Sequence, residues 1–458
     1  MNRREFLALP LLGLTGAPGA SAANEHPNVV IFLADDLGWA DVGFHGSETR
    51  TPNIDKLARD GVQLDRFYSY PVCSPTRSGL MTGRSAMRLG VIYSVIRPHS
   101  SYGVPVEEHF MPQSFKAAGY ETAYCGKWHL GHGYRKFFPN SRGFDHAYGH
   151  FNGAIDYFKH ERDGGLDWNR DGKSLKEEGY STELIASEGI RIIKNRDKSK
   201  PLFLYMPFNA PHAPLQAPEK YIDKYASIKD DKRRHYCAMV DAEDYNIGRV
   251  LETLEQEGMT RNTIVLFFSD NGGPTGSGAR NTPLRGAKGS TWEGGTRVPA
   301  VLKWPGHLKA GTKSAQVMQM IDVFPTLAAA AGVKPLNKLP LDGKNLWSNL
   351  EQGKTTPREN LYFAVENENT MWLGVHHGDW KLVREAPSKG GEAKNYLFRI
   401  VEDPSEKNDV AAQNPELVKE LVAAIQKWQT LYPPNGVRHE STARAGWKAP
   451  AQYAEAAR

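Results

Sequence analysis

Pro27-Asn28-Val29-Val30-Ile31-Phe32-Leu33-Ala34-Asp35-Asp36 decides how the rest of the chain is read. From Pro27 to Ala34 the stretch is an almost continuous apolar, β-branched run, the pattern of a strand covered on both faces in a parallel sheet. It ends in two adjacent carboxylates, and in open α/β sheets ligands gather at the carboxyl ends of strands. Neighbouring carboxylates repel each other unless they share a cation. An aspartate after a strand often only caps a helix, but Leu37-Gly38-Trp39 begins no helical pattern, so metal ligation is the favoured reading.

The arrangement recurs twice. Pro201 to Phe208 reads as a second buried strand and ends in Asn209-Ala210-Pro211-His212-Ala213-Pro214, where the prolines hold His212 in a rigid non-helical turn. Thr263 to Phe268 reads as a third, ending in Ser269-Asp270-Asn271-Gly272-Gly273. Asp35, Asp36, Asp270 and Asn271 thus bring oxygen donors to two strand ends. An all-oxygen cage predicts calcium, or magnesium if the cage is small and octahedral. Between the second and third strands, Tyr236 to Leu254 predicts a long helix whose stripe of Ile247, Val250, Leu251 and Leu254 belongs to the core.

Earlier in the chain, a short amphipathic helix from Thr51 and a strand from Val62 to Tyr70 lead into Cys73-Ser74-Pro75-Thr76-Arg77-Ser78-Gly79-Leu80-Met81-Thr82-Gly83-Arg84. Ser74 suits a helix N-cap, Pro75 the first helical position and Gly83 the stop. Cys73 therefore stands where unpaired N–H groups favour negative charge. A cysteine before a short helix is ordinarily an inert buried thiol. Here the C-x-P-x-R spacing followed by T-G resembles the signature of type I sulfatases, in which this cysteine is oxidised to formylglycine. Gly126-Lys127-Trp128-His129-Leu130-Gly131 and Pro283-Leu284-Arg285-Gly286-Ala287-Lys288 resemble further segments of that family.

The resemblance spans about Pro27 to Trp428 and is strongest toward the arylsulfatase B (N-acetylgalactosamine-4-sulfatase) branch and bacterial polysaccharide sulfatases. It implies an α/β, alkaline-phosphatase-like fold: a large mixed sheet between helices, with a smaller C-terminal domain of antiparallel sheet plus helix. It also implies that the formylglycine made from Cys73 is hydrated and supplies the attacking oxygen, with Arg77 and the metal orienting it. Cys73 thereby joins Asp35, Asp36, Asp270 and Asn271 around the metal. Lys127 and Lys288 would bind sulfate, His212 would contact the substrate and protonate the departing alcohol, and His129 would serve as acid/base group. Lys127 and His129, two apart on an extended segment, would face the same way; Glu293 and Arg297 brace a glycine turn.

Gly143 to Asp171 reads as a long loop rich in glycine, aromatic and charged residues, the kind of segment that carries specificity. Asp156 and Asp167 are candidates for sugar hydroxyls, and Trp168 for stacking on a galactose-type ring. The substrate expected is a 4-O-sulfated galactose or N-acetylgalactosamine unit of a sulfated oligosaccharide or polysaccharide. Two other functions fit the sequence less well. A phosphomonoester, phosphodiester or phosphonate hydrolase often needs a second metal site, and only one full oxygen cage is visible. A catalytically dead polysaccharide-binding protein would be expected to lack one of Cys73, Arg77, His129 or Lys288.

The 458 residues carry a net charge of +5 with no like-charge block longer than Lys232-Arg233-Arg234, which speaks against nucleic acid. Mean hydropathy is -0.54. Asn2-Arg3-Arg4-Glu5-Phe6-Leu7, the apolar run behind it and Ala20-Ser21-Ala22 resemble a twin-arginine signal over residues 1–22. That predicts a periplasmic or secreted protein, with the export machinery and a formylglycine-generating enzyme as partners and no membrane span. The expected layout is a catalytic part over 23–357, a C-terminal antiparallel-sheet part over 358–431 with four short strands and one helix, and a loosely ordered tail over 432–458. Three cysteines cannot make a disulfide framework; Cys125 and Cys237 read as buried thiols, with a bridge between them left open.

Overall fold

The computed structural model describes residues 26–439 and 445–458. The signal-like segment therefore lies outside the described residues. In chain order the elements that position the site are β1 (Asn28–Ala34), α1 (Pro52–Asp60), β2 (Val62–Leu64), α2 (Cys73–Thr82), β3 (Glu121–Lys127), β4 (His146–His150), α3 (Ser181–Asn195), β5 (Leu202–Pro207), α4 (Asp231–Gln256), β6 (Thr263–Ser269), β7 (Ala300–Lys303) and β8 (Thr312–Ser314). They are followed by β9 (Leu361–Glu366), β10 (Thr370–His377), β11 (Trp380–Pro387), β12 (Lys394–Arg399) and α5 (Pro415–Gln429).

The large sheet has ten strands in the order β8-β2-β7-β6-β1-β5-β3-β4, extended by the two-residue strands Asn169–Arg170 and Lys173–Ser174. β1 lies at its centre, parallel to β5 on one side and β6 on the other. Its side chains alternate between two separate cores. Val29, Ile31 and Leu33 pack into one, Val30, Phe32 and Ala34 into the other, and all six are fully buried. That is why the run lacks polar alternation. Because β1, β5 and β6 run the same way in register, their carboxyl ends deliver Asp35-Asp36, the His212 turn and Asp270-Asn271 to one edge of the sheet.

The second sheet, β9-β10-β11-β12, is antiparallel throughout, and the four strands and helix read from the sequence occupy it within a few residues. Its Leu361, Phe363, Val375 and Leu382, with Leu421, Ile425 and Trp428 of α5, share one of the main sheet's cores. Polar contacts add to this join. Buried Lys381 of β11 bridges Glu293 (2.9 Å) and Glu406 (2.8 Å), while His376 and Tyr68 also reach Glu293.

Three expectations need correction. The Val62 to Tyr70 strand is two short strands, Val62–Leu64 and Phe67–Tyr68, because the chain leaves the main sheet for a second pairing with Met318–Gln319. The Gly143 to Asp171 segment is not all loop: β4 joins the main sheet beside β3. The end of the tail is tied down. Leu166 donates to the Ala451 carbonyl, Arg135 donates to that of Arg458, and Tyr453 and Ala454 are buried. Pro- and Ala-rich composition gave no sign of that dock, which rests on backbone hydrogen bonds. Cys73, Cys125 and Cys237 are all free buried thiols.

Candidate active site

Helix α2 begins at Cys73 itself, two residues earlier than Ser74 capping predicts; Val72 holds the cap position without a side-chain bond. The Ser74 hydroxyl is used elsewhere, donating to the His129 carbonyl at 3.0 Å, which ties the two motifs together. Gly83 ends the helix in the left-handed region at φ 66°, its N–H on the Gly79 carbonyl, as the sequence indicates. Strand β3 reaches the site through Gly126, where a Cβ would meet the Pro207 carbonyl at 1.9 Å. The strand stops at Lys127, and His129 takes φ 60°, so the two side chains do not project from one extended segment. Asp36 is also left-handed, at φ 74°; backbone strain of this kind concentrates at functional sites.

Asp35, Asp36, Cys73 and His212 each place a potential ligand atom within 4.8 Å of the others. Three cations meet three carboxylates around them. Lys127 Nζ lies 2.5 Å from Asp35 Oδ2, Lys288 Nζ lies 2.5 Å from Asp36 Oδ1, and Arg77 donates through Nε and Nη2 to Asp270 Oδ2 at 3.0 and 2.8 Å. Each carboxylate keeps one oxygen that no lysine or arginine holds. Asn271 donates its Nδ2 to Asp36 Oδ1 at 2.8 Å, while its own Oδ1 is buried without a partner. An unpartnered amide oxygen beside carboxylate oxygens that no lysine or arginine holds fits a hard divalent cation.

Burial dominates the titration of the cluster. It raises Asp35 to about 7, helped by Asp270 and opposed by Lys127 and Arg77. It also works against ionisation of Asp36, but Lys288, His212 and Lys127 outweigh it and hold that carboxyl well below its ordinary range. The Cys73 thiol is pushed up to about 12 by burial, and its Sγ lies 3.6 Å from both Asp35 Oδ1 and Lys288 Nζ. Such a thiol is almost wholly protonated at neutral pH and is a poor nucleophile. Burial likewise keeps His129 neutral. Its Nε2 faces the Ile96 carbonyl at 3.1 Å and can only donate there, which leaves Nδ1, buried and unpartnered, as the basic nitrogen. The His212 ring gives Nδ1–H to the Ala213 carbonyl and turns Nε2 toward Asp36 Oδ2 at 3.6 Å; burial lowers it to about 3.

A cavity of about 420 Å³ opens over Cys73, His129, His212 and Lys288. A family model described as Sulfatase matches residues 27–333, the span that contains every one of these residues. The chain belongs to the sulfatase family. A second model, N-sulphoglucosamine sulphohydrolase, C-terminal, matches residues 287–430. This sulfatase is 32% identical to arylsulfatase J of Mus musculus over 93% of the chain and 80% of that protein. It is 34% identical to N-acetylgalactosamine-6-sulfatase of Homo sapiens over 78% of the chain and 72% of that protein. The crystal structure of Ps i-CgsB in complex with k-i-k-neocarrahexaose superposes with a TM-score of 0.84 at 34% identity, covering 91% of this chain and 95% of that one. The chain is thus a sulfuric ester hydrolase by family, with the mixed-sheet fold and C-terminal antiparallel sheet expected.

Several sequence-derived roles change in this sulfatase. Arg77 is bonded to the strand ends. Its donors go to Asp270 and, through Nη1, to the Lys127 carbonyl at 2.9 Å, so it positions the strand ends. Trp168 is buried, stacked on His160 and bonded through Nε1 to Glu177, and has no face for a sugar. Asp167 accepts from the backbone of Phe151 and Asn152, and Asp156 from that of Phe158 and Lys159; both hold the loop's own shape. Arg162, from the Gly143 to Asp171 segment expected to carry specificity, does line the cavity, whereas Arg97, Glu366, Asn367 and His439 line it too and carried no motif that would have singled them out. Among the described residues no helix is long and apolar enough to cross a membrane.

Proposed function

We propose that this sulfatase removes sulfate from a 4-O-sulfated galactose or N-acetylgalactosamine unit of a sulfated saccharide, using a formylglycine formed from Cys73 and a calcium ion. The observation that carries the chemistry is the pairing of a buried, protonated Cys73 with an oxygen cluster whose Asn271 Oδ1 has no partner. A thiol held neutral by burial is a weak nucleophile, whereas a hydrated aldehyde in its place supplies paired hydroxyls, one to attack and one to provide an exit route. Calcium, or magnesium, would be held by Asp35, Asp36, Asp270, Asn271 and the group at position 73, where it would polarise sulfate oxygens.

The chain's own residues supply the rest. Lys127 and Lys288 flank position 73 and would take up the ester's negative charge. The same negative charge offsets the two lysines that oppose protonation of His212, so that its Nε2 can donate to the departing sugar oxygen. His129 Nδ1 is the nearby neutral base that can accept a proton from position 73. Arg77 keeps Asp270 in place. The substrate choice draws on galactose-type sugars in the relatives: N-acetylgalactosamine in the 6-sulfatase, and the neocarrahexaose held by Ps i-CgsB. Export through the twin-arginine route to the periplasm or beyond, after modification of Cys73 by a maturation enzyme, completes the reading and rests on Arg3-Arg4 and the apolar run after them.

The test compares kcat/KM on oligosaccharides sulfated at the 4 position, at the 6 position and on glucosamine. The proposal expects the 4-sulfated galacto-type sugar to be preferred, with small aryl sulfates turned over more slowly because they lack the sugar contacts that position the ester. A preference for 6-sulfate or for glucosamine would overturn the substrate assignment while leaving the sulfatase chemistry in place.

A further inference from the structure

The cavity over position 73 contains a cation that neither the fold nor the proposed chemistry uses. Arg97 shares its lining with Cys73, His129, His212 and Lys288. Its Nε is buried without a hydrogen-bond partner. The other charged groups of the wall are spoken for: Arg162 lies 3.2 Å from Asp163, and Glu366 lies 3.6 Å from Arg438. Arg97 is therefore the arginine of this cavity with no carboxylate partner among the described residues.

Its backbone is fixed relative to the nucleophile position. The Ile96 N–H donates to Ser74 Oγ at 3.1 Å, and the Ile96 carbonyl faces His129 Nε2 at 3.1 Å. The Pro98 carbonyl faces His132 Nε2 at 3.0 Å, and the Arg97 carbonyl accepts from Ser100 at 2.9 Å. A guanidinium stays charged, and a partly desolvated one on a pinned segment is pre-organised for an oxyanion that matches its planar fork. The ester undergoing cleavage already has Lys127 and Lys288.

We propose that Arg97 reads a second oxyanion on the saccharide, a further sulfate or a uronate carboxylate, separate from the ester being cleaved. This rests on the sulfated-saccharide reading above and narrows it to substrates carrying more than one negative charge.

The test uses competitors of 4-nitrophenyl sulfate hydrolysis by the aldehyde-bearing enzyme. One matched pair is a galactan tetrasaccharide with one or two sulfates per repeat. The other is a chondroitin 4-sulfate tetrasaccharide with its carboxylates free or methyl-esterified. Wild type is expected to bind the more highly charged member of one pair more than about tenfold more tightly, in line with a charge-assisted pair. R97Q should bring that preference to near parity, and R97K should restore part of it. In R97Q the KM for 4-nitrophenyl sulfate should rise far less than the inhibition constant of the charged competitor. The pair that responds tells sulfate from carboxylate. No preference in either pair, or a preference that survives in both variants, would overturn the proposal. Absence of any aryl sulfate turnover by aldehyde-bearing wild type would instead overturn the functional reading, and this inference with it.

Discussion

Lys288 meets Asp36 at 2.5 Å and Cys73 Sγ at 3.6 Å, so a single side chain neutralises a carboxylate of the candidate metal cluster and faces position 73. Burial should deprotonate such a lysine, but Asp36 and its neighbours keep it charged far up the pH scale. K288A should lower kcat by about 10²–10³, the usual cost of losing one pre-organised charge at a developing oxyanion; steady-state kinetics on an aryl sulfate would show it, and a change only in KM would contradict the role. At this scale the residues that converge on the site were legible where they sit in contiguous motifs, as with Cys73, Lys127, His129 and Asp35-Asp36. It was not legible for Asp156, Asp167 and Trp168. Their type suggested sugar contacts, but hydrogen bonds within their own loop decide their use, and no spacing reports that. Arg97 stands next to no motif, and only the cavity reveals it.

At the scale of elements, three parallel strands do most of the positioning, and their uninterrupted apolar runs made β1, β5 and β6 readable to within a residue or two. Boundaries set by side-chain bonding were harder. The start of α2 moved because Ser74 bonds across to His129 instead of capping its own helix. β4 escaped notice because His146–His150 has little apolar character and is held by pairing with β3. The C-terminal sheet was visible as four strands, but its attachment was not. Lys381 lies at that attachment, fully buried between Glu293 and Glu406. Glu293 opens the short helix Glu293–Thr296 that follows Lys288. K381M should therefore leave Glu406 without its cation and Glu293 with only His376, Tyr68 and the more distant Arg297, and cost about 3–5 kcal/mol of stability. Thermal or urea unfolding would measure this, and a change below about 1 kcal/mol would mean that the apolar core alone holds the sheet.

For the whole molecule, the site exists only because distant segments converge: strand ends from the large sheet, the head of α2, the Lys288 loop and a cavity wall that includes Glu366 and Asn367 at the end of β9. A cation bound among these buried carboxylates would couple that convergence to folding. Chelation should abolish activity and lower the unfolding temperature, since a ligand at 100 times its Kd stabilises by about 2.7 kcal/mol. Calcium should restore both better than zinc, because the carboxylate and amide oxygens outnumber the one imidazole of His212 in the cluster and an aldehyde hydrate would replace the Cys73 thiol. Full activity after exhaustive chelation would contradict the metal assignment. The central claim concerns position 73, and mass spectrometry of the peptide containing it, taken from fully active enzyme, tests it most directly. The account predicts an aldehyde in place of the thiol, in proportion to specific activity; full sulfate-ester turnover by protein that retains the Cys73 thiol would contradict it.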